Sequence, residues 1–293
     1  MRVIVHGGAG STPSDPAARQ AVLDRAAEDA SREPTPLDAV ECALRVLERD
    51  EQFNAGRGGA IQSDGRARVD AGVMTSGTDV GAVAGLQGVT HPSTVARAVC
   101  EETPHVLLTG PAAEAFAETT GVETGADLTT ESTRERFADA DPPGQLLTDQ
   151  LDWVRERFGD DAGGSDPTAT DHDTVGAVAG DGETFAAATS TGGRWFALAG
   201  RVGDVPQVGC GFYCSAAGGA SATGAGEDIA RTTLARRAVD RLEGGADAET
   251  AAAEAIAAFE DATGASAGLI VLGSDGAGSA YSSDAMQTAV AER

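Results

Sequence analysis

A threonine that opens a strand directly behind an acidic, Gly/Pro-containing stretch carries the most chemistry in this sequence. Thr174 begins the run Thr174-Val175-Gly176-Ala177-Val178-Ala179, immediately after residues 159–173. If the bond before it were cut, its new α-amino group, with an unperturbed pKa near 7.7 to 8.0, would sit beside its own hydroxyl and serve as general base. That arrangement needs no imidazole, which matters in a chain with only four histidines (His6, His91, His105, His172) and none beyond position 172. Read alone, Thr174 is an ordinary β-branched strand residue.

Other reactive patterns break on their context. Gly264-Ala265-Ser266-Ala267-Gly268 has the spacing of a nucleophile elbow, but that turn needs a strand before it, a helix after it and a histidine downstream. Here the order is reversed and no histidine follows. His6-Gly7-Gly8-Ala9-Gly10 is superficially like an esterase oxyanion loop and falls with its missing partner. Asp171-His172-Asp173 has no second His or Cys cluster to complete a site, so no catalytic metal is expected. Cys42, Cys100, Cys210 and Cys214 include no CxxC pair and read as buried or incidental thiols. The chain has no lysine, so a GxxxxGK[ST] phosphate loop is impossible.

The elements that must position Thr174 follow from periodicity and punctuation. Residues 2–6 read as a short buried strand ending in a Gly-rich turn, followed by a helix over about 16–32. Thr35-Pro36-Leu37-Asp38 is a helix start with Thr as N-cap and Pro at N1, and Leu37, Val40, Leu44 and Leu47 carry the apolar face to about Asp50. A Gly-rich loop over 53–59 leads to strands over 66–74 and 80–84, a helix after His91-Pro92, a strand over 105–108 and a helix over 111–119. Between 121 and 170 the pattern fades, and 159–173 reads as an exposed linker. A hairpin follows, 174–179 and 184–188, then a Gly-rich section, helices over about 227–242 and 246–259, and a second hairpin, 269–272 and 277–281. Strands at both ends enclosing helices predict a mixed α/β layered fold with central sheets between helical layers. No internal repeat stands out.

Four strings of the second half stand in a telling order: Asp173-Thr174-Val175-Gly176-Ala177-Val178-Ala179, Ala188-Thr189-Ser190-Thr191-Gly192-Gly193, Gly200-Arg201-Val202-Gly203-Asp204 and Ala222-Thr223-Gly224-Ala225-Gly226-Glu227. Together they resemble the plant-type asparaginase and isoaspartyl peptidase family of N-terminal-nucleophile hydrolases, relatives of glycosylasparaginase. In the first half His6-Gly7-Gly8-Ala9-Gly10, Phe53-Asn54-Ala55-Gly56-Arg57-Gly58 and His105-Val106 fall in family order, so the resemblance covers nearly the whole chain outside about 121–172.

The resemblance implies an αββα sandwich and a precursor that cleaves itself between Asp173 and Thr174. The α chain would be residues 1–173 and the β chain residues 174–293, together one folded domain. Thr174 would be the nucleophile, with Thr191 lying against it to support its hydrogen bonding. Arg201 would clamp the substrate α-carboxylate with a planar bidentate fork, and Asp204 would pair with the α-ammonium group. The Thr223 hydroxyl and Gly224 N–H would form the oxyanion hole, and Asn54 would help to hold the nucleophile. Carbonyls between Glu51 and Arg57 resemble the family's sodium-binding loop, a structural ion; no other cofactor is implied. The implied reaction is hydrolysis of L-asparagine to aspartate and ammonia, or of β-aspartyl dipeptides, through a threonine acyl-enzyme, by a homodimer of processed α/β units.

Four departures stand out. His172-Asp173 replaces the Gly usual before the nucleophile in the isoaspartyl peptidase branch and is similar to glycosylasparaginase. Met74-Thr75-Ser76-Gly77 lacks the acid expected after Met, Arg194-Trp195-Phe196-Ala197 differs from the usual residues on that side of the site, and Ala225 replaces a small hydroxyl residue. Two alternatives therefore stand beside the main reading: a glycosylasparaginase-like hydrolase of N-linked sugar, and an unprocessed binding protein for asparagine-like amino acids.

Composition narrows the partners. The 293 residues are 41% apolar, enough to bury a full core. Forty-six acidic residues face 21 basic ones, all arginine, for a net charge of −25. Such a surface repels phosphate backbones, so no nucleic-acid partner is expected. The acids are spread along the whole chain, which favours adaptation to high salt, as in a halophile. No apolar run approaches the ~18 residues of a membrane span, and the start of the chain lacks the ~7 to 15 apolar residues of a secretory signal. A cytoplasmic protein acting on a small molecule or dipeptide is the expectation.

Overall fold

The computed structural model describes residues 1–159 and 174–293; the expected linker beyond Gly159, with His172 and Asp173, lies outside the described residues. The first strand, β1 (Arg2–Gly10), shows how the chain is layered. Val3 and Val5 pack into one apolar core and Ile4 into another, the period of two of a strand covered on both faces.

A seven-stranded sheet is built from β1, β2 (Val69–Thr75), β3 (Val80–Leu86), β4 (Leu107–Thr109), β5 (Val175–Gly180), β6 (Phe185–Thr191) and β11 (Ala285–Glu292), in the order β11-β1-β5-β6-β2-β3-β4. Every neighbouring pair is antiparallel except β3 with β4. The two ends of the chain are therefore neighbours: Arg2 pairs with Glu292, and the Met1 amino group donates to the Arg293 carbonyl at 2.7 Å. A four-stranded sheet, ordered β10-β9-β8-β7, contains β7 (Phe212–Ser215), β8 (Gly218–Gly224), β9 (Ala267–Gly273) and β10 (Gly276–Tyr281).

Helices α1 (Pro16–Ala30), α2 (Pro36–Arg49), α3 (Pro92–Glu102) and α4 (Gly110–Thr119) cover the outer face of the large sheet, with Leu23, Leu44, Val95 and Ala117 packed on Val5, Val73 and Ala177. Helix α8 (Leu234–Glu243) and α9 (Ala248–Thr263) cover the small sheet through Val239, Ala252 and Phe259 against Leu269 and Val271. Between the sheets lie Ile4, Val178, Phe212, Ile270 and Leu272. The result is helix, sheet, sheet, helix: the expected αββα sandwich. The sheets approach so closely that a Cβ on Gly72 of β2 would lie 2.0 Å from Phe212 of β7. No helix among the described residues is long and apolar enough to cross a membrane.

Several elements differ from expectation. The fading stretch after residue 121 holds two helices, α5 (Glu131–Asp139) and α6 (Leu147–Phe158). A reciprocal Thr130–Thr133 capping box starts α5, but so few of its residues are buried that the apolar period is faint. The Gly-rich section after the first hairpin contains β7 and β8, and the chain ends in a further strand, β11. The single helix expected over 227–242 is two, α7 (Gly226–Thr232) and α8, divided at Thr233, which takes a left-handed φ of 53°.

Candidate active site

Strand register places the nucleophile candidate. Val175 of β5 lies opposite Ser190 of β6, so one further step sets Thr174 opposite Thr191. Parity turns both side chains toward the space between the sheets, because Val178 and Ala187 on the same faces point there. Thr174 Oγ1 donates to Thr191 Oγ1 at 3.2 Å, and the Gly193 N–H donates to the same Thr191 oxygen at 3.0 Å. Thr174 is 8% exposed, enough to be reached from one side.

The turn after Thr191 is held by Asn54. Its Nδ2 donates to the Gly193 carbonyl at 2.6 Å, its Oδ1 accepts from Ala60 N at 2.7 Å, and its carbonyl accepts from Gly192 N at 2.7 Å. Asn54 thus fixes the turn beside Thr174.

Thr174 opens into a small cleft that Asn54 also lines. The other lining residues come from three stretches: Thr191, Gly193 and Arg194 at the end of β6; Arg201, Gly203 and Asp204; and Gly224 and Gly226 at the end of β8. Gly224 adopts φ +137°, and a Cβ there would meet Ser266 O and Ala267 Cα at 2.6 Å. A Cβ on Gly226 would fall 2.7 Å from both Arg201 Nη2 and Asp204 Oδ1, so this glycine leaves room for the charged pair. Thr223, the residue before Gly224 on β8, is 1% exposed and its Oγ1 accepts from Ala9 N at 3.3 Å.

One arginine faces three carboxylates. Arg201 donates through Nε and Nη2 to the two oxygens of Glu227, each at 2.8 Å. Burial works against the Glu227 carboxylate, but the bonds and charge of Arg201 outweigh it and bring its pKa down to about 2. Burial pushes Asp204 up to about 7 against the Arg201 charge, and its Oδ2 is buried with no hydrogen-bond partner among the described residues. Asp70, opposite Thr191 on β2, accepts from Gly85 N at 2.7 Å; burial lifts it to about 6 against that bond and the Arg201 charge.

Behind the nucleophile a polar chain joins the sheets. Thr189 Oγ1 donates to the Gly211 carbonyl at 2.9 Å and lies 2.7 Å from Ser221 Oγ, which lies 2.9 Å from His6 Nε2. With the single Thr189 proton on Gly211, Ser221 donates to Thr189 and accepts from His6 Nε2–H. His6 is fully buried, and desolvation lowers its pKa to about 3, opposed by the Thr174 main chain. The contact with Thr174 falls short of a hydrogen bond, so Nδ1 is unsatisfied among the described residues. His6 is neutral at physiological pH and is not a general base for Thr174.

Among the described residues no three His, Cys, Asp or Glu side chains come together as metal ligands would.

The family profile described as Asparaginase matches residues 1–293. The chain belongs to the asparaginase family. The plant-type L-asparaginase of Pyrococcus abyssi is 39% identical over 276 residues, covering 87% of this chain and 84% of the relative. The isoaspartyl peptidase/L-asparaginase of Danio rerio is 34% identical over 302 residues, covering 99% and 92%, and that of Rattus norvegicus 36% over 287 residues, covering 94% and 80%.

In this asparaginase-family chain the structure brings Thr174, Thr191, Asn54, Arg201, Asp204 and Gly224 to one cleft, with Thr223 next to Gly224 on β8. Arg201 differs from the expected open clamp: Glu227 takes the Nε–H and one Nη2–H of Arg201, which leaves the second Nη2–H and the two N–H of Nη1, an end-on fork lying against Gly203. Sequence reading assigned no role to Glu227, although it follows Gly226 directly in the string Ala222 to Glu227. Nor did it pick out Asp70, whose only sequence mark is an acid inside a strand.

Proposed function

We propose that the protein is a self-processing amidohydrolase acting on the side-chain amide of L-asparagine and the β-linked bond of isoaspartyl dipeptides. The observation that carries this reading is the unpartnered, buried Asp204 oxygen in the same cleft as Thr174. A carboxylate held that way is a site for an ammonium group, and the Nη1/Nη2 edge of Arg201 beside it suits the neighbouring carboxylate. Asparagine and β-aspartyl dipeptides offer both groups on one carbon, with the scissile carbonyl one methylene away. The names of the relatives, asparaginases and isoaspartyl peptidases, support the same two substrates.

The steps follow from what the residues can do. Cleavage between Asp173 and Thr174 gives residues 1–173 and 174–293 and frees the Thr174 amine. That amine takes the Thr174 hydroxyl proton as Oγ1 attacks the substrate carbonyl, while Thr191 keeps Oγ1 oriented. The Thr223 hydroxyl and the Gly224 N–H receive the charge developing on the carbonyl oxygen. The proton passes to the leaving nitrogen, which departs as ammonia or an amino acid, and water then hydrolyses the threonine ester to aspartate.

We assign the backbone carbonyls of loop 51–57 to a structural sodium ion, which takes oxygen ligands, with no part in the reaction. The working form we propose is a homodimer of processed units in the cytoplasm.

Intact mass of the purified protein in multimolar salt tests the reading. Two chains are expected, the smaller beginning at Thr174, together with ammonia release from asparagine. Thr174→Ala should remain one chain of 293 residues and release none; ammonia release by that variant would overturn the mechanism.

A further inference from the structure

An arginine that is to hold a carboxylate must first be held itself, and the guanidinium of Arg201 is closely walled. Glu227 takes one side of it, and a Cβ on Gly203 or Gly226 would lie 2.7 Å from Nη1 or Nη2. An exposed arginine absorbs a shift of its main chain by changing rotamer. One so enclosed has no room to do so, and the placing of residues 200 and 201 passes straight to the fork.

One buried amide fixes that main chain. Gln62, 2% exposed, accepts from Gly200 N at 2.8 Å through Oε1 and donates through Nε2 to the Arg201 carbonyl at 3.2 Å. Arg68 decides which way the amide faces. Its Nη1 donates to the same Oε1 at 2.8 Å; two donors at one end require oxygen there, and a carbonyl at the other end requires nitrogen. Arg68 is in turn paired with both oxygens of Asp64, at 2.9 and 2.7 Å. The main chain of Gln62 closes its own turn, its N–H on the Arg66 carbonyl at 3.0 Å and its carbonyl on the Gly65 N–H at 2.9 Å. Residues 62–68 therefore form a bracket that closes on residues 200 and 201.

The neighbours of Gln62 hold the stretch ahead of Arg201. The Ile61 carbonyl accepts from Phe196 N at 3.0 Å, Ser63 N donates to the Ala197 carbonyl at 2.8 Å, and Ser63 Oγ accepts from Ala199 N at 3.0 Å. In this series Gln62 is the member that reaches the clamp.

We infer that Gln62 is a positioning residue for substrate recognition: its amide holds the main chain of Gly200 and Arg201 and so sets where the Arg201 fork meets the substrate α-carboxylate. This rests on the amidohydrolase reading, in which that carboxylate belongs to asparagine or a β-aspartyl dipeptide. Two residues of one stretch then hold the two halves of the site. Asn54 holds the turn beside Thr174, where the bond is broken, and Gln62 holds the clamp, where the substrate is recognised. Both stand before the proposed cut and grip residues after it. Loss of Gln62 weakens carboxylate binding and leaves acyl transfer to Thr174 nearly as it was.

The test is the dissociation constant of L-aspartate, the product that carries both α groups, measured by calorimetry on the processed protein. It is read beside kcat for asparagine and the thermal midpoint. Gln62→Met keeps the length of the side chain and loses its bonds, Arg68→Met removes the donor that orients the amide, and Ser63→Ala loosens the same loop at Ala199. In Q62M the constant should rise about tenfold, as for loss of a hydrogen bond to a charged group. The fall in kcat should be smaller than that rise. R68M should move the constant in the same direction by less, and S63A should lower the midpoint and leave aspartate binding unchanged. A constant unaltered in Q62M overturns the assignment, as does one unaltered in R68M should Q62M not fold. A rise in S63A equal to that in Q62M overturns it too, because the loop as a whole would then set the clamp. If the unaltered protein binds aspartate and releases ammonia from asparagine, and Q62M matches it, only Gln62 is removed. If the unaltered processed protein does neither, the amidohydrolase reading falls and Gln62 with it.

Discussion

On the proposed mechanism, Asp204 and the Thr174 amine must each lose a proton before the free enzyme can work. Burial holds Asp204 near 7 in the empty cleft, and an unperturbed α-amine titrates at about 7.7 to 8.0. A protonated Asp204 cannot pair with a substrate ammonium, and a protonated amine cannot act as base. As pH falls below about 7, kcat/KM should therefore decline with a limiting slope of two protons, whereas kcat, which reports the bound state, should decline with a slope of one. A slope of one in both profiles would remove Asp204 from substrate binding. His6, which titrates near 3, does not contribute to that limb. Most of this site is legible in the sequence because its residues stand in short strings of fixed order, as Gly200-Arg201 and Thr223-Gly224 do. Glu227 and Asp70 are not, because what matters about them is that they meet Arg201, and no spacing along the chain encodes a meeting made by strand register and a helix start. The same holds for His6 and Ser221, 215 residues apart along the chain and joined at 2.9 Å in the fold.

Strands and helices here are read well where an apolar period, a cap or a turn marks them and poorly where none does. The apolar face of α2 and its Thr35 cap announce that helix, and the Gly180-to-Thr184 turn announces the β5–β6 hairpin. Strand β8, written Gly-Gly-Ala-Ser-Ala-Thr-Gly, has almost no bulky residue to declare it, because helix α8 on one face and the large sheet on the other leave little room. The same closeness makes Gly72 a test of how the two sheets fit. Gly72→Ala should lower stability by about 2 to 3 kcal/mol in denaturant unfolding, since the new methyl collides with Phe212. Combining it with Phe212→Ala should cost less than the sum of the two single changes. Strict additivity would mean that the sheets have slack.

Over the whole molecule, charge outweighs every other surface property. A net −25 with no lysine sets like charges against one another across the surface, and at about 0.1 M salt that repulsion still reaches about 10 Å. Raising KCl from 0.1 to 2 M should raise the thermal midpoint by several degrees and slow unfolding; a midpoint indifferent to salt would leave the acidic surface without a stabilising partner in brine. The layered fold has a different consequence at the edge where β1 and β11 run side by side. With the first amino group bonded to the last carbonyl, the chain is nearly a closed ring that happens to be opened at that seam. A short bridge across the seam would let the ring be opened elsewhere, so that translation starts at Thr174, passes through Arg293 to Met1 and stops at Gly159. Such a rearranged gene product would carry Thr174 at the front once the initiator methionine is trimmed, and the order of synthesis would do what the proposed scission of the backbone otherwise has to do.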